Sequence, residues 1–135
     1  MIGAGIERVE HPDPRTTEAV DLEIGPDGSL EPVARLVAAG AAARLGLTVD
    51  RVEGLQRAVD AAFRVAPAGH TRSVHVHEAD GALEVQVGPI DAGTFGRAEL
   101  ERVLSPLVDE VTTRHSGPSE LWVDLRLSLA RSFET

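Results

Sequence analysis

Three stretches of the chain alternate apolar and polar residues, which is the period of a strand with one buried face. The first is Ala19–Gly25, the second is a pair of runs within Ser73–Val87, and the third is Glu120–Ala130. Asp80-Gly81 separates the two runs of the second stretch and predicts a hairpin with a tight turn. The positions expected to face the core are Val20, Leu22, Ile24, Val74, Val76, Leu83, Val85, Val87, Leu121, Val123, Leu125, Leu127 and Leu129.

Two segments between the first strand and the hairpin repeat apolar residues at intervals of three and four, which predicts helices with one buried face. The first helix is expected to run from a Ser29 cap to about Leu45, and the second to begin at a Thr48 cap. Pro67 and Gly69 end the second helix. The positions expected to be buried are Val33, Leu36, Val37 and Ala41 in the first helix and Val52, Leu55, Val59, Phe63 and Ala66 in the second.

Two further short helices are predicted before the last strand. They are Gly96–Leu104 and Ser105–His115, the latter with Pro106 at its first position. The predicted fold class is an α/β (α+β) two-layer sandwich, with a mixed, mostly antiparallel sheet and the helices on one of its faces. Residues 1–16 are predicted to form a flexible N-terminal segment, and residues 17–135 a single domain.

Charge and composition narrow the classes of function. The chain of 135 residues has a formal net charge of −9, from 22 acidic and 13 basic residues, and every base is arginine. The lack of lysine excludes a Schiff base and a P-loop lysine, and the negative charge argues against a nucleic-acid partner. There is no cysteine and no apolar run of membrane-spanning length. We therefore expect a cytoplasmic protein with no membrane contact, and a protein or small ligand as its partner.

The centre of the sequence carries a more specific pattern. Within Leu30–Ala62, a helix ends in Gly46-Leu47, Thr48 caps the next helix, and "VEGLQRAVDAA" leads into that helix. Together with the order of the elements, this pattern resembles the anti-sigma factor serine kinases of bacteria, which belong to the ATPase superfamily of gyrase, histidine kinases and MutL. The resemblance covers about Val20–Ala130 and implies a Bergerat-type ATPase fold.

In that family the second helix carries Glu-Ala-x-x-Asn, whose Glu orients the attacking group and whose Asn holds Mg²⁺ on the ATP phosphates. Aligning the helix on this motif places Ala61 at the Glu position and Val65 at the Asn position. Neither side chain can accept a proton or ligate magnesium. Asp60 is one residue away and is therefore turned about 100° around the helix. Two interpretations stay open for Ala61 and Val65, namely ordinary core residues or the lining of a remodelled, dry pocket.

The family's second motif is Asp-x-Gly-x-Gly after a strand, where the Asp binds adenine. Here Asp91 and Gly93 preserve an Asp-x-Gly fragment, displaced by about three residues and without the second glycine. The glycine-rich lid over the phosphates is also missing from Gly93–Val103. Because three motifs depart together, we expect phosphotransfer to be lost. Asp91 and Gly93 are the candidate nucleotide-binding residues if nucleotide binding is retained, and Asp91 has the alternative role of a turn or cap residue.

Residues on the predicted outer face of the sheet offer a few other candidates. His75 and His77 share a face of one strand and could supply two metal ligands, although solvent-facing histidines without metal are the favoured interpretation. Trp122 alternates with inward-facing neighbours and should also lie on the outer face. An outer-face tryptophan is a candidate anchor for a protein contact, or it could be covered by the N-terminal segment.

The expectation for function is a kinase-dead, regulatory relative of the anti-sigma factor kinases that acts by protein–protein interaction in bacterial transcription control. By resemblance alone, its partner would be a sigma factor or a STAS-type antagonist in a partner-switching pathway. The resemblance also implies a homodimer, for which the Ala-rich first helix offers a surface. The alternative is a nucleotide-binding kinase or sensor with a rearranged ATP and magnesium site. No catalytic residue, metal site or cofactor is expected under the first hypothesis.

Overall fold

A computed structural model describes residues 19–65, 71–91, 97–117 and 120–129. The predicted flexible segment 1–16, together with Ala66 and Gly93, lies outside these residues. No helix among them is long and apolar enough to cross a membrane.

The described residues form an α+β fold with five strands and three helices. All four strand pairings are antiparallel, and the strands lie in the order β1-β2-β3-β5-β4. The sheet that the described residues form is therefore wholly antiparallel, where a mixed, mostly antiparallel one was predicted. The elements in chain order are β1 (Val20–Ile24), α1 (Glu31–Arg44), α2 (Val49–Val65), β2 (Arg72–Ala79), β3 (Ala82–Asp91), α3 (Arg97–Leu104), a 3-10 turn (Ser105–Leu107), β4 (Glu110–His115) and β5 (Glu120–Ser128).

The hydrophobic core lies between one face of the sheet and the helices. The predicted inward positions of β2, β3 and β5 are buried, whereas Val20, Leu22 and Leu129 are half-buried at its margin. Asp80 and Gly81 adopt φ angles of 54° and 73°. Two left-handed residues in succession are typical of the tight turn that matches the twist of a hairpin. The hairpin and the inner face of the sheet are thus confirmed.

The segment Ser105–His115 is not a helix, and that prediction is wrong. Only Ser105–Leu107 forms a 3-10 turn, and Glu110–His115 is the edge strand β4, with Thr113 opposite Val123 of β5. Val111, Thr112 and Thr113 are β-branched, which disfavours a helix and suits an edge strand. The strand pairing therefore overrides the apparent cap at the start of the segment.

Helix α1 begins later than predicted. Its N-cap position is Leu30, which makes no side-chain cap hydrogen bond. Ser29 instead donates from its backbone N and its Oγ to Asp27 Oδ1, over 3.0 and 3.1 Å. These two hydrogen bonds lower the pKa of Asp27. Ser29 is therefore part of a turn rather than a helix cap.

The buried face of α1 is also different from the predicted one. The fully buried residues are Ala34, Ala38 and Ala42, whereas Val33 and Leu36 are exposed. Val37 and Ala41 are only half-buried against the core. Alanine lets a helix approach the neighbouring helix and sheet closely, so the small side chains face inward and the large ones remain outside. These three alanines are therefore packed inside the protein, whereas Ala43 of the same helix is exposed.

Helix α2 follows its prediction closely. Thr48 Oγ1 accepts a hydrogen bond from the backbone N of Arg51 over 3.3 Å, as expected for a cap. Leu55, Val59 and Phe63 are buried, and Val52 packs against the core from the margin.

A buried arginine joins the start of β2 to both long helices. Arg72 is 2% exposed, and its Nη2 lies 2.8 Å from Glu31 Oε2 at the start of α1. Its guanidinium carbon lies 5.0 Å from the centre of the Phe63 ring, and its Nη1 donates to the Phe63 carbonyl oxygen over 3.5 Å. Its Nε has no hydrogen-bond partner in the part of the chain that the structure describes. Nothing in the local sequence around Arg72 predicts this arrangement.

Candidate functional site

The residues aligned on the ATPase motif lie on α2 and at the end of β3. Ala61 is 7% exposed and belongs to the apolar core, and Val65 is the last residue of α2. Asp60 is turned away from the core and forms an ion pair of 2.7 Å with Arg35 of α1. Asp91 is the last residue of β3, and its backbone pairs with Glu120 of β5. Of the two interpretations of Ala61, its burial in the core favours the ordinary core residue.

Trp122 lies on the outer face of the sheet, as its alternation predicted, and is half-buried there. Its ring covers Gly88 of the neighbouring strand β3. A Cβ atom added to Gly88 would come within 2.6 Å of the ring carbon Cδ2 and within 2.8 Å of Cγ. Glycine at this position is therefore what allows the indole to lie flat against the sheet.

Side chains from two other strands meet the indole of Trp122. The His75 ring of β2 stacks with it, with centroids 5.6 Å apart and planes inclined by 17°. The guanidinium carbon of Arg114, from β4, lies 5.7 Å from the centre of the indole. Arg114 is oriented by two hydrogen bonds to the Asp124 carboxylate, over 3.2 and 3.3 Å. We call His75, Trp122 and Arg114 the aromatic platform.

The remainder of the outer face is rich in carboxylates. Its acidic members on the described strands are Asp21, Glu23, Glu84, Glu110, Glu120 and Asp124. The arginines on the same outer face of the described strands are Arg114 and Arg126. Arg126 forms ion pairs with Glu84 and, over 3.8 Å, with Glu110. The face therefore has an excess of negative charge after its own ion pairs are made. A shallow depression of about 440 Å³ opens on it, lined by Glu84, Glu110, Thr112, Asp124, Leu125 and Arg126.

His75 and His77 do share the outer face, as predicted from their spacing. His75 Nδ1 lies 2.6 Å from Asp21 Oδ1, and His77 Nε2 lies 3.3 Å from Glu84 Oε1. Each ring is thus held by a carboxylate of a neighbouring strand. Among the described residues, no three His, Asp or Glu side chains form a group that could hold a metal ion.

The sequence pattern located Trp122 but missed the rest of the aromatic platform. The sequence pattern places Arg114 in a helix, so it does not predict the position of this arginine beside the indole on a neighbouring strand. The stack with His75 depends on strand order and register, since β2 and β5 are separated by β3. The signal that could have found it is Gly88, a glycine inside an apolar strand, which marks a close approach of another group.

No protein-family model matches the chain, and no curated protein is significantly similar to it. The class of protein therefore follows from the residues described above. It is a small α+β domain whose helices pack on one face of an antiparallel sheet and whose other face carries an aromatic platform and excess carboxylates.

Proposed function

We propose that the chain is a regulatory protein that acts by binding another protein through the outer face of its sheet. The observation that carries this proposal is the aromatic platform. Trp122 is held in place by Gly88, His75 and Arg114, so little side-chain freedom remains to be lost when a partner binds. Tryptophan and arginine are also the residues that most often dominate the free energy of protein association.

The finer assignment within this proposal is a Bergerat-type ATPase domain that has lost phosphotransfer. It is supported by the two-layer arrangement and by the order of the elements along the chain, in which α1 and α2 follow β1 and precede β2. Both features are compatible with such a fold. It is supported further by the apolar residues Ala61 and Val65 at the positions of the catalytic Glu and the magnesium-binding Asn. By resemblance, the proposed partner is a sigma factor or a STAS-type antagonist. Such a regulator would act through binding alone, without transfer of phosphate.

Site-specific crosslinking tests the proposed surface. We expect a photo-reactive residue at Thr112, which is exposed in the depression on the outer face, to capture one protein from extract of the native cells. The same photo-reactive residue at Glu53, exposed on α2, serves as the control and should not capture that protein.

Binding of the purified partner to variants of the chain is the second test. Trp122→Ala should weaken binding roughly tenfold or more, as loss of a central anchor does. Val49→Ala, which trims an exposed apolar residue at the start of α2, should leave the affinity unchanged. Equal capture from both positions, or equal affinity of both variants, would contradict the proposal.

The second candidate function is nucleotide binding at a rearranged site that uses Asp91 and Gly93. The position of Asp91 at the end of a central strand favours it, because the adenine-binding Asp of the ATPase family also follows a strand. We expect calorimetric titration with ATP or ADP and magnesium to give no heat of binding up to millimolar nucleotide. Binding in the micromolar range, abolished by Asp91→Ala, would replace the first proposal with the second.

A further inference from the structure

Strand β1 forms one edge of the sheet, with no strand beyond it in the part of the chain that the structure describes. In a hairpin with a two-residue turn, the residues that flank the turn bond to each other, so Ala79 of β2 bonds to β3. Backbone groups alternate in direction along a strand, so Val74, five residues before Ala79, bonds to Leu22 of β1. The backbone N–H and C=O groups of Asp21 and Glu23 therefore point away from β2. We call this outward side of β1 the β1 edge.

The β1 edge is more open than the opposite edge of the sheet. Ala19, Asp21 and Glu23, whose backbone groups point outward, are all exposed. On the opposite edge strand β4, the backbone of Thr113 points outward in the same way, because the backbone N of Ser116 bonds to the β5 side. Thr113 is only 7% exposed. Unpaired backbone groups on an exposed edge are a template for another strand.

Helix α1 packs over β1 and β2, and one of its sides is turned towards the β1 edge. Arg35 forms an ion pair with Asp60 and so marks the side of α1 that faces α2. Val33 and Val37 are each two residues from Arg35, which turns them about 200° around the helix, away from α2. Val33 is 42% exposed, so part of this apolar side is uncovered.

The two faces of the β1 edge differ in character. The half-buried apolar residues on the side of the helices are Val20, Leu22 and Val37. Arg44 lies on the same side of α1, but it is two turns beyond Val37, at the end of the helix. The outer face carries the carboxylates of Asp21 and Glu23, and the Asp21 side chain is 72% exposed. A segment lying along the β1 edge therefore meets apolar side chains on one face and carboxylates on the other.

A second copy of the chain does not fit the β1 edge. Two-fold antiparallel pairing of β1 with itself, centred on residue 21, 22 or 23, places Asp21 opposite Asp21, Asp21 opposite Glu23, or Glu23 opposite Glu23. Like charges directly opposite each other destabilise a strand pair. Basic residues at those positions would instead form ion pairs across the strands. The residue between two such basic residues faces the helices, where an apolar side chain fits.

We propose that the β1 edge binds an extended segment of a partner protein in which basic and apolar residues alternate. The segment adds to the five described strands as an antiparallel neighbour of β1, in the manner of β-strand addition. Its basic side chains lie opposite Asp21 and Glu23, and its apolar side chains lie beside Val33 and Leu22. This contact is separate from the aromatic platform and does not depend on the function proposed for that platform.

A synthetic peptide tests the proposal against the full chain. The probe is fluorescein-labelled Lys-Val-Lys-Val-Lys-Val-Lys, which has the same pattern in both directions, and its binding is followed by fluorescence anisotropy. We expect saturable binding that weakens as sodium chloride is raised, because salt screens the ion pairs. A peptide of alternating lysine and serine keeps the charge but not the apolar face, and it should bind at least tenfold more weakly. No saturable binding at millimolar protein, or equal binding of the two peptides, would overturn the proposal.

Backbone methylation separates strand addition from attraction between charges. In the proposed pairing the lysines are opposite Asp21 and Glu23, so the lysine N–H groups point towards β1 and the valine N–H groups point away. N-methylation of the lysines should therefore abolish binding, whereas N-methylation of the valines, at the same mass and charge, should leave most of it. Equal affinities of the two methylated peptides would overturn the strand pairing and the proposal with it.

Two substitutions at one position apply the same test to the chain. Glu23→Pro and Glu23→Ala both remove the carboxylate, but only proline removes the outward N–H. That N–H does not bond to β2, so an edge strand tolerates proline there. We expect Glu23→Pro to bind the peptide about fivefold more weakly than Glu23→Ala, as loss of one hydrogen bond does. Circular dichroism will show that both variants are folded, and equal affinities of the two folded variants would contradict the proposal.

The apolar side of the β1 edge has its own matched pair of variants. Val33→Ser removes an apolar contact with the peptide and should weaken binding several-fold. Val103→Ser is the control, since Val103 is 40% exposed on α3, and it should bind as the parent chain does. The same affinity for both variants would show that the peptide does not lie beside α1, and the proposal would fail.

Discussion

Replacing Glu31 by alanine is expected to lower the free energy of unfolding by about 2–3 kcal/mol, because the change leaves the Arg72 guanidinium buried without its carboxylate. Removing one partner of a fully buried pair costs about 3–5 kcal/mol. The Glu31 side chain is 34% exposed, so water can partly replace it and the expected loss is smaller. Urea denaturation followed by circular dichroism measures the effect.

Replacing Arg72 by methionine is expected to cost less, about 1 kcal/mol, although arginine is the more buried partner. Methionine keeps a long apolar side chain against Phe63 and removes both the charge and the Nε that lacks a hydrogen-bond partner among the described residues. The hydrogen bond to the Phe63 carbonyl is lost, which accounts for the remaining cost.

The double variant separates this explanation from simple loss of packing. Once Arg72 is methionine, Glu31→Ala removes only an acidic residue from the first turn of α1, which is worth about 0.3–1 kcal/mol. The two substitutions should therefore be strongly non-additive. Additive costs, or a larger loss for Arg72→Met than for Glu31→Ala, would show that the ion pair is not what holds these elements together.

The sequence predicted most of the elements because most of them follow a clear period. Strand alternation identified β1, β2, β3 and β5, and a cap with a strong apolar repeat identified α2. The pattern predicts helix α1 at the correct place in the chain, but it predicts the wrong buried face of that helix, because it assigns the large apolar residues to the core. In the structure the buried residues of α1 are Ala34, Ala38 and Ala42, and which residues are buried depends on how the neighbouring elements pack against the helix.

The candidate site was predicted only in part, for reasons of the same kind. The outward position of Trp122 follows from alternation within one strand, so local sequence was sufficient. The stack with His75 and the contact with Arg114 bring together side chains from three strands. Predicting these contacts requires knowledge of the strand order and of the pairing of β4 with β5. The apparent helix start at Ser105 concealed β4. Contacts across a sheet depend on register, which a single-strand pattern does not give.

The same glycine-to-alanine change is expected to have opposite effects at two positions in the long helices. In α2, a Cβ atom at Gly54 would lie 2.5 Å from the carbonyl oxygen of Leu107 in the 3-10 turn. That atom belongs to the backbone, so the turn itself would have to move. Alanine gains about 1 kcal/mol of helix propensity over glycine, but overpacking against backbone costs about 3 kcal/mol. We expect Gly54→Ala to lower the free energy of unfolding by about 2 kcal/mol.

Gly40→Ala in α1 is the matched control, since the added methyl group meets nothing within 4 Å. Only the helix propensity remains there, so the variant should be more stable than the parent chain by about 0.5–1 kcal/mol. Urea denaturation compares the two variants. Gly54 also sets the distance between α2 and the start of β4, where Arg51 binds Asp109 and Asp109 accepts the backbone N–H of Ser128 over 2.7 Å. A gain in stability at both glycines would mean that α2 and the 3-10 turn are not in close contact. The position of β4, and with it that of Arg114 in the aromatic platform, would then be set by the pairing of β4 with β5 alone.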